Sequence, residues 1–247
     1  MTQPLTLQDN EVHIWRTDIA QVPRTLLPRY YQLMSAQEQV RNQRYRTEAL
    51  RDGDAITRAL ARTVLSRYAD IQPAQWSFTK GKHGKPEVNN PGIDLRFNLS
   101  HTSQVVACVV TRQHDIGLDI EHIERNNNVL AIADRYFSPS ELTDLFSLPA
   151  DQQKDRFFDY WTLKEAYMKA DGRGISLGLG NFSFTISDAA TISVSFSEKI
   201  KQDAAAWQFQ LFHPDNRHRM AVAINTSPGN SGQIAVSHFE TIPLQMP

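Results

Sequence analysis

At 247 residues the chain is long enough to bury a core of its own, either as one large domain or as two small ones. Hydrophobic residues make up 40% and charged residues 21%, an ordinary soluble composition, and the net charge of −1 singles out no class of partner. One cysteine excludes an internal disulfide, and no stretch approaches the roughly 18 consecutive apolar residues of a membrane span.

The first residues, MTQPLTLQDNEVH, have neither the basic start nor the apolar run of a signal peptide, so the cytosol is the expected compartment. A strand is expected over Val12 to Ile19, followed by helices. Ser35 and Glu38 have the spacing of a capping box, in which each side chain satisfies a free amide at a helix start. A longer helix is expected from Thr47 to Tyr68. The segment Lys80 to Pro86 reads as a glycine- and lysine-rich turn without the spacing of a phosphate-binding P-loop. Cys108 sits in an apolar run, Val105 to Val110, and is expected as a small buried hydrophobe.

Two strands follow, parted by a turn near Gln113-His114-Asp115. Ser138-Pro139-Ser140-Glu141 predicts another capped helix start, and a helix of about twenty residues near Asp151 to Ala170 should end at Gly172. From Asn181 onward, short runs such as Phe182 to Ile186 read as strands and turns. The absence of a regular βαβ rhythm predicts an α+β fold with largely antiparallel sheets, in two subdomains over residues 1–112 and 113–247 meeting at a cleft. Residues 1–118 carry 15 Lys/Arg against 11 Asp/Glu, and residues 119–247 carry 11 against 16. Unless this is only solvated surface charge, the first half suits an anion and the second a cation.

In Ile116-Gly117-Leu118-Asp119-Ile120-Glu121 the apolar residues alternate with Gly117, Asp119 and Glu121, the period of a half-buried strand. Both carboxylates then share one face, with Gly117 leaving that face open beside them. Hard oxygen ligands of this kind suit Mg²⁺, although the pair could equally be a plain solvent-facing edge. In the helix beyond, Phe157, Trp161 and Met168 form one apolar stripe containing Lys164, with Glu165 at its edge and Lys169 one turn further. One reading is a snorkelling lysine and a surface Glu165–Lys169 pair. The other is a cleft wall that presents a third carboxylate and two ammonium groups to a metal-bound polyphosphate.

Leu95 to His101 is another alternating strand, with Ser100 and His101 at its end. Neighbours on a strand point to opposite faces, which argues against a serine–histidine nucleophile pair. Phosphate or adenine recognition, or a structural turn, is expected instead. Lys85, extended because Pro86 follows it, could reach the same cleft.

Taken together and in this order, three segments resemble the 4′-phosphopantetheinyl transferases of the surfactin-synthetase-activating type. They are Gly84-Lys85-Pro86 leading to Phe97-Asn98-Leu99-Ser100-His101, then Ile116 to Glu121, then Trp161-Thr162-Leu163-Lys164-Glu165-Ala166-Tyr167-Met168-Lys169. The resemblance implies two similar α+β subdomains in a pseudo-twofold arrangement with coenzyme A held between them. It implies transfer of 4′-phosphopantetheine from coenzyme A to a serine of an apo acyl or peptidyl carrier protein, releasing adenosine 3′,5′-bisphosphate. Asp119, Glu121 and Glu165 match the Mg²⁺ ligands, with Mn²⁺ as a possible substitute. Glu165 also matches the base for the attacking hydroxyl, and Lys164 and Lys169 match the lysines at the diphosphate and leaving group. Arg41, Arg58, Lys85, Ser100 and His101 match nucleotide contacts, with His101 on the 3′-phosphate. A second basic position of some relatives falls on Glu38 here. The resemblance further implies a monomer that engages neither nucleic acid nor membrane. The alternatives are a non-catalytic relative that binds only coenzyme A or a carrier protein, and a metal-dependent nuclease. Against the nuclease, Glu121 is followed by His122 and Ile123 rather than by a lysine two residues on.

Overall fold

The computed structural model describes residues 4–81, 84–124, 128–188, 191–226 and 232–245; Lys82 and His83 of the predicted turn lie outside them. In chain order come β1 (Glu11–Asp18), α1 (Leu27–Leu33), α2 (Ala36–Asn42), α3 (Glu48–Leu65), β2 (Phe78–Lys80), β3 (Pro86–Val88), β4 (Leu95–His101), β5 (Val105–Arg112) and β6 (Asp115–His122). Then follow α4 (Val129–Tyr136), α5 (Pro139–Ser147), α6 (Ala150–Asp171), β7 (Phe182–Asp188), β8 (Thr191–Phe196), β9 (Trp207–Asp215), β10 (His218–Asn225) and β11 (Ala235–Glu240). Helices and small sheets are interspersed in an α+β fold, and among the described residues the strand pairs are antiparallel except β1 with β11. No helix among the described residues is long and apolar enough to cross a membrane.

The chain forms two compact units, the first comprising Met1–Gly81, Pro86–Gln113 and Gln233–Pro247, the second Lys82–Lys85 and His114–Gly232. In the first, the sheet runs β11-β1-β5-β4. Its central strand β5 is the apolar run around Cys108, whose thiol is fully enclosed and pushed well above its usual pKa by burial. Trp15, Phe97, Val106, Cys108 and Val110 pack with Ile56, Leu60 and Val64 of α3. The capping box forms: Ser35 Oγ accepts from the Glu38 amide, and the Glu38 carboxylate accepts from the Ser35 amide at 2.8 Å. The helix expected to reach Tyr68 closes at Leu65, and the Tyr68 hydroxyl instead joins Trp15 Nε1 (2.7 Å) and His13 Nδ1 (2.8 Å).

The first unit also takes back the end of the chain. β11 lies parallel to β1, with Glu11 opposite Ala235 and Arg16 opposite Glu240, and Phe239 stacks on Trp15 with centroids 4.5 Å apart. The Tyr30 hydroxyl donates to Pro243 O at 2.8 Å.

In the second unit, β6-β10-β9 form a three-stranded sheet and β7-β8 a hairpin. Helix α6 is the hub. Phe157, Phe158, Tyr160, Leu163, Ala166, Tyr167, Met168 and Ala170 are all buried, so its apolar surface wraps the helix where the sequence suggests a single stripe. It ends where expected, with Gly172 at φ 87° donating its N–H to Met168 O.

Candidate active site

Alternation predicts a half-buried strand β6, but nearly its whole length is buried on both faces. The reason is Gly117. A Cβ built there would stand 2.0 Å from Ala166 O and 2.5 Å from Ala170 N, so the backbone of α6 lies directly on the strand. The expectation that Gly117 leaves its face open is therefore corrected: its missing side chain is the space that α6 fills. Ala223 and Ala221 of β10, opposite Gly117 and Asp119, keep that face shallow enough for the same approach.

This contact brings the acids of β6 and the charges of α6 together. Asp119 is 4% exposed and Glu121 8%. Lys169 Nζ donates to Asp119 Oδ1 at 2.7 Å and to Leu118 O at 3.1 Å. Glu165, half-buried one turn earlier, has its pKa raised by burial and then by the Asp119 charge, against a smaller opposing pull from Lys169. Lys85 Nζ donates to Ile116 O at 2.7 Å. Carbonyls two residues apart on a strand point the same way, and β6 is an edge strand. Lys85 and Lys169 thus reach neighbouring carbonyls of β6, a convergence that no linear spacing announces.

Lys164 is elsewhere. Its ammonium donates to Leu179 O and Phe182 O, both at 2.8 Å, and pairs with Glu141 Oε2 at 2.9 Å, with both side chains 0% exposed. An ammonium has three donors, and all three are used inside the protein. The expectation that Lys164 meets a diphosphate is corrected on that ground, and snorkelling is excluded with it. Burial holds this lysine below its usual pKa, with Glu141 pulling the other way.

Among the expected nucleotide contacts, Arg41 is exposed at the end of α2, Ser100 is buried, and His101 is exposed. Ser100 and His101 occupy opposite faces of β4, as strand alternation requires. Arg58 Nη2 pairs with Asp54 Oδ1 at 3.1 Å, and Arg58 Nε lies 3.8 Å from Glu38 Oε1. Glu38 receives the buried Arg62 at 2.7 Å. Burial alone would raise the Glu38 pKa, but Arg62, the Ser35 amide and Arg58 outweigh it and hold the carboxyl below its ordinary range.

Sequence reasoning missed Arg219. It lies on β10 opposite Glu121, is 7% exposed, and reaches Asp155 at 2.6 Å and Asp159 at 3.3 Å on α6. The available signal was an arginine directly before the apolar run Met220 to Ile224. Among the described residues, no group of three or more His, Cys, Asp and Glu is arranged to hold a metal ion.

Residues 115–223 match the sequence pattern of the 4′-phosphopantetheinyl transferase superfamily, a span that includes β6 and α6. The chain is 33% identical over 223 residues to the 4′-phosphopantetheinyl transferase HetI of Nostoc sp., covering 89% of this chain and 90% of that protein. It is 32% identical over 164 residues to the 4′-phosphopantetheinyl transferase Sfp of Bacillus subtilis, covering 66% and 69%. Similarity to the 4′-phosphopantetheinyl transferase gsp of Aneurinibacillus migulanus is 32% over 153 residues, covering 62% and 61%.

Proposed function

Because the chain belongs to the 4′-phosphopantetheinyl transferase superfamily, we propose that it carries out this transfer through the carboxylates of β6 and α6. It moves 4′-phosphopantetheine from coenzyme A to a serine hydroxyl of an apo acyl or peptidyl carrier protein and releases adenosine 3′,5′-bisphosphate. The observation that carries the assignment of residues is the meeting of Glu165 and Lys169 with Asp119.

Among the described residues these acids are not already drawn together as a metal site, but their chemistry suits a divalent cation. Three carboxylates supply hard oxygens, and the Asp119 charge that raises the Glu165 pKa is a repulsion that a cation would relieve. Asp119, Glu121 and Glu165 would hold Mg²⁺, or Mn²⁺ in its place. When bound, such an ion would draw charge off the phosphorus that is attacked. The serine oxygen forms the new bond to the phosphorus bearing the pantetheine arm, and the bond to the bisphosphate oxygen breaks. Glu165 accepts the hydroxyl proton, directly or through water. Lys169 supplies positive charge to the departing bisphosphate.

Arg41, Lys85, Ser100 and His101 are assigned as nucleotide contacts, with His101 on the 3′-phosphate. Arg58 is assigned as a further nucleotide contact, held in place by Asp54 and Glu38. A cytosolic monomer that takes neither nucleic acid nor membrane as partner completes the reading.

The test is the intact mass of several apo carrier proteins after incubation with the protein, coenzyme A and Mg²⁺. A gain of one phosphopantetheine arm, abolished by EDTA, is expected. Tight coenzyme A binding without any gain would favour a non-catalytic binder, and the absence of both would sink the assignment.

A further inference from the structure

The residue next to Glu165 holds the most enclosed charge of the second unit. Lys164 and Glu141 are each 0% exposed, and their contacts extend beyond each other. The Glu141 carboxylate also accepts from the Ser138 amide (2.9 Å), the Ser138 hydroxyl (3.0 Å) and the Phe184 amide (2.9 Å). Lys164 reaches the carbonyls of Leu179 and Phe182, and its Nζ lies 4.5 Å from the Phe182 ring centroid. One ion pair therefore ties the first turn of α5, the middle of α6, the turn before β7, and β7 itself.

Enclosing two charges costs desolvation, and an apolar pair of the same volume would commonly stabilise at least as well. A charged pair adds direction. Its donors and acceptors are satisfied at one rotation of α6 about its axis, and a leucine in the same place would tolerate many. Successive helical residues turn by about 100°, so fixing Lys164 fixes where Glu165 points. Lys169, five residues on, is fixed by the same rotation.

We propose that Lys164 and Glu141 are positioning residues, a buried ion pair that sets the rotation of α6 and so delivers Glu165 and Lys169 to Asp119. Lys164 touches no part of coenzyme A. The inference rests on the reading that Asp119, Glu165 and Lys169 carry the transfer.

Two measurements test it. In the parent protein, amine acetylation mapped by mass spectrometry should label the exposed Lys154, Lys199 and Lys201 and leave Lys164 unlabelled, with or without coenzyme A. Labelling of Lys164 in the folded protein overturns the proposal, and no variant has to fold for that result. In kinetics, Lys164→Met should lower kcat about 100-fold through misplacement of Glu165, with the coenzyme A KM changed less than about threefold. Adding Glu141→Gln removes the stranded carboxylate but keeps an acceptor for Phe184, and should recover at least about tenfold of the lost kcat. A lysine acting on the diphosphate could not be rescued in this way, so a double variant no faster than Lys164→Met overturns the proposal. Failure of the parent to modify any carrier would instead remove the transferase reading, and the positioning role with it, whatever the labelling shows.

Discussion

At the scale of single residues, the site is defined by charges that disagree with their surroundings. Glu165 has its pKa raised by burial and by Asp119. A carboxyl whose folded-state pKa lies above its unfolded value binds its proton more tightly in the native protein. Its ionisation therefore destabilises the fold: the penalty is absent below the ordinary carboxylate range and complete above the raised value. Glu165→Gln should then raise the melting temperature of the metal-free protein at pH 8 relative to the parent, and the difference should vanish near pH 4. On the proposed mechanism the same substitution should lower transfer about 100-fold or more, because Glu165 is there the proton acceptor. Thermal melts in EDTA at both pH values, beside turnover in Mg²⁺, separate the two effects. A variant less stable than the parent at pH 8 would mean that Glu165 is held favourably without a cation. Glu38 is the opposite case. Its depressed pKa makes it a stabilising partner of Arg62 at neutral pH, and that contribution is lost only as acid protonates it.

At the scale of elements, the decisive contact is α6 on β6. Gly117 permits it, so Gly117→Ala should be costly out of proportion to one methyl group. Overpacking of this kind costs about 1–3 kcal/mol. Because the clash is with the backbone of Ala166 and Ala170, relief requires α6 to move away from Asp119. An ångström of such movement is expected to cost about 100-fold in turnover. Gly53 in α3 provides the control. A Cβ there meets nothing within 4 Å, so Gly53→Ala should gain about 0.5–1 kcal/mol and leave transfer unchanged. Denaturant unfolding and the carrier mass assay on both variants check the pair. Equal tolerance at the two positions would refute the packing argument. The capping boxes at Ser35–Glu38 and Ser138–Glu141 were legible in the sequence because a cap lies within four residues of chain. The second use of Glu141, as the counter-charge of Lys164, was not, because those residues are 23 positions apart and meet only after α5 packs on α6.

At the scale of the whole molecule, the chain's end matters for the first unit. β11 covers one edge of β1, and Arg16–Glu240, Trp15–Phe239 and Tyr30–Pro243 hold it there. Phe239→Ala should cost about 2 kcal/mol, less than a fully buried phenylalanine because the ring is only half-enclosed. Urea unfolding followed by Trp fluorescence would detect it, and an unchanged midpoint would mean that the stack contributes nothing.

Alternation in Ile116–Glu121, helical period and caps in α5 and α6, and the order of three motifs were sufficient to identify the α+β class and the family, and to point to Asp119 and Lys169, which stand 2.7 Å apart. These features are local or depend only on order along the chain. Three others were decided by tertiary packing: that Gly117 receives a helix backbone, that Lys164 is spent on Glu141, and that Arg219 stands opposite Glu121. Each depends on which surface of one element is covered by another, and periodicity gives a side chain's direction about its own axis without saying what stands in front of it.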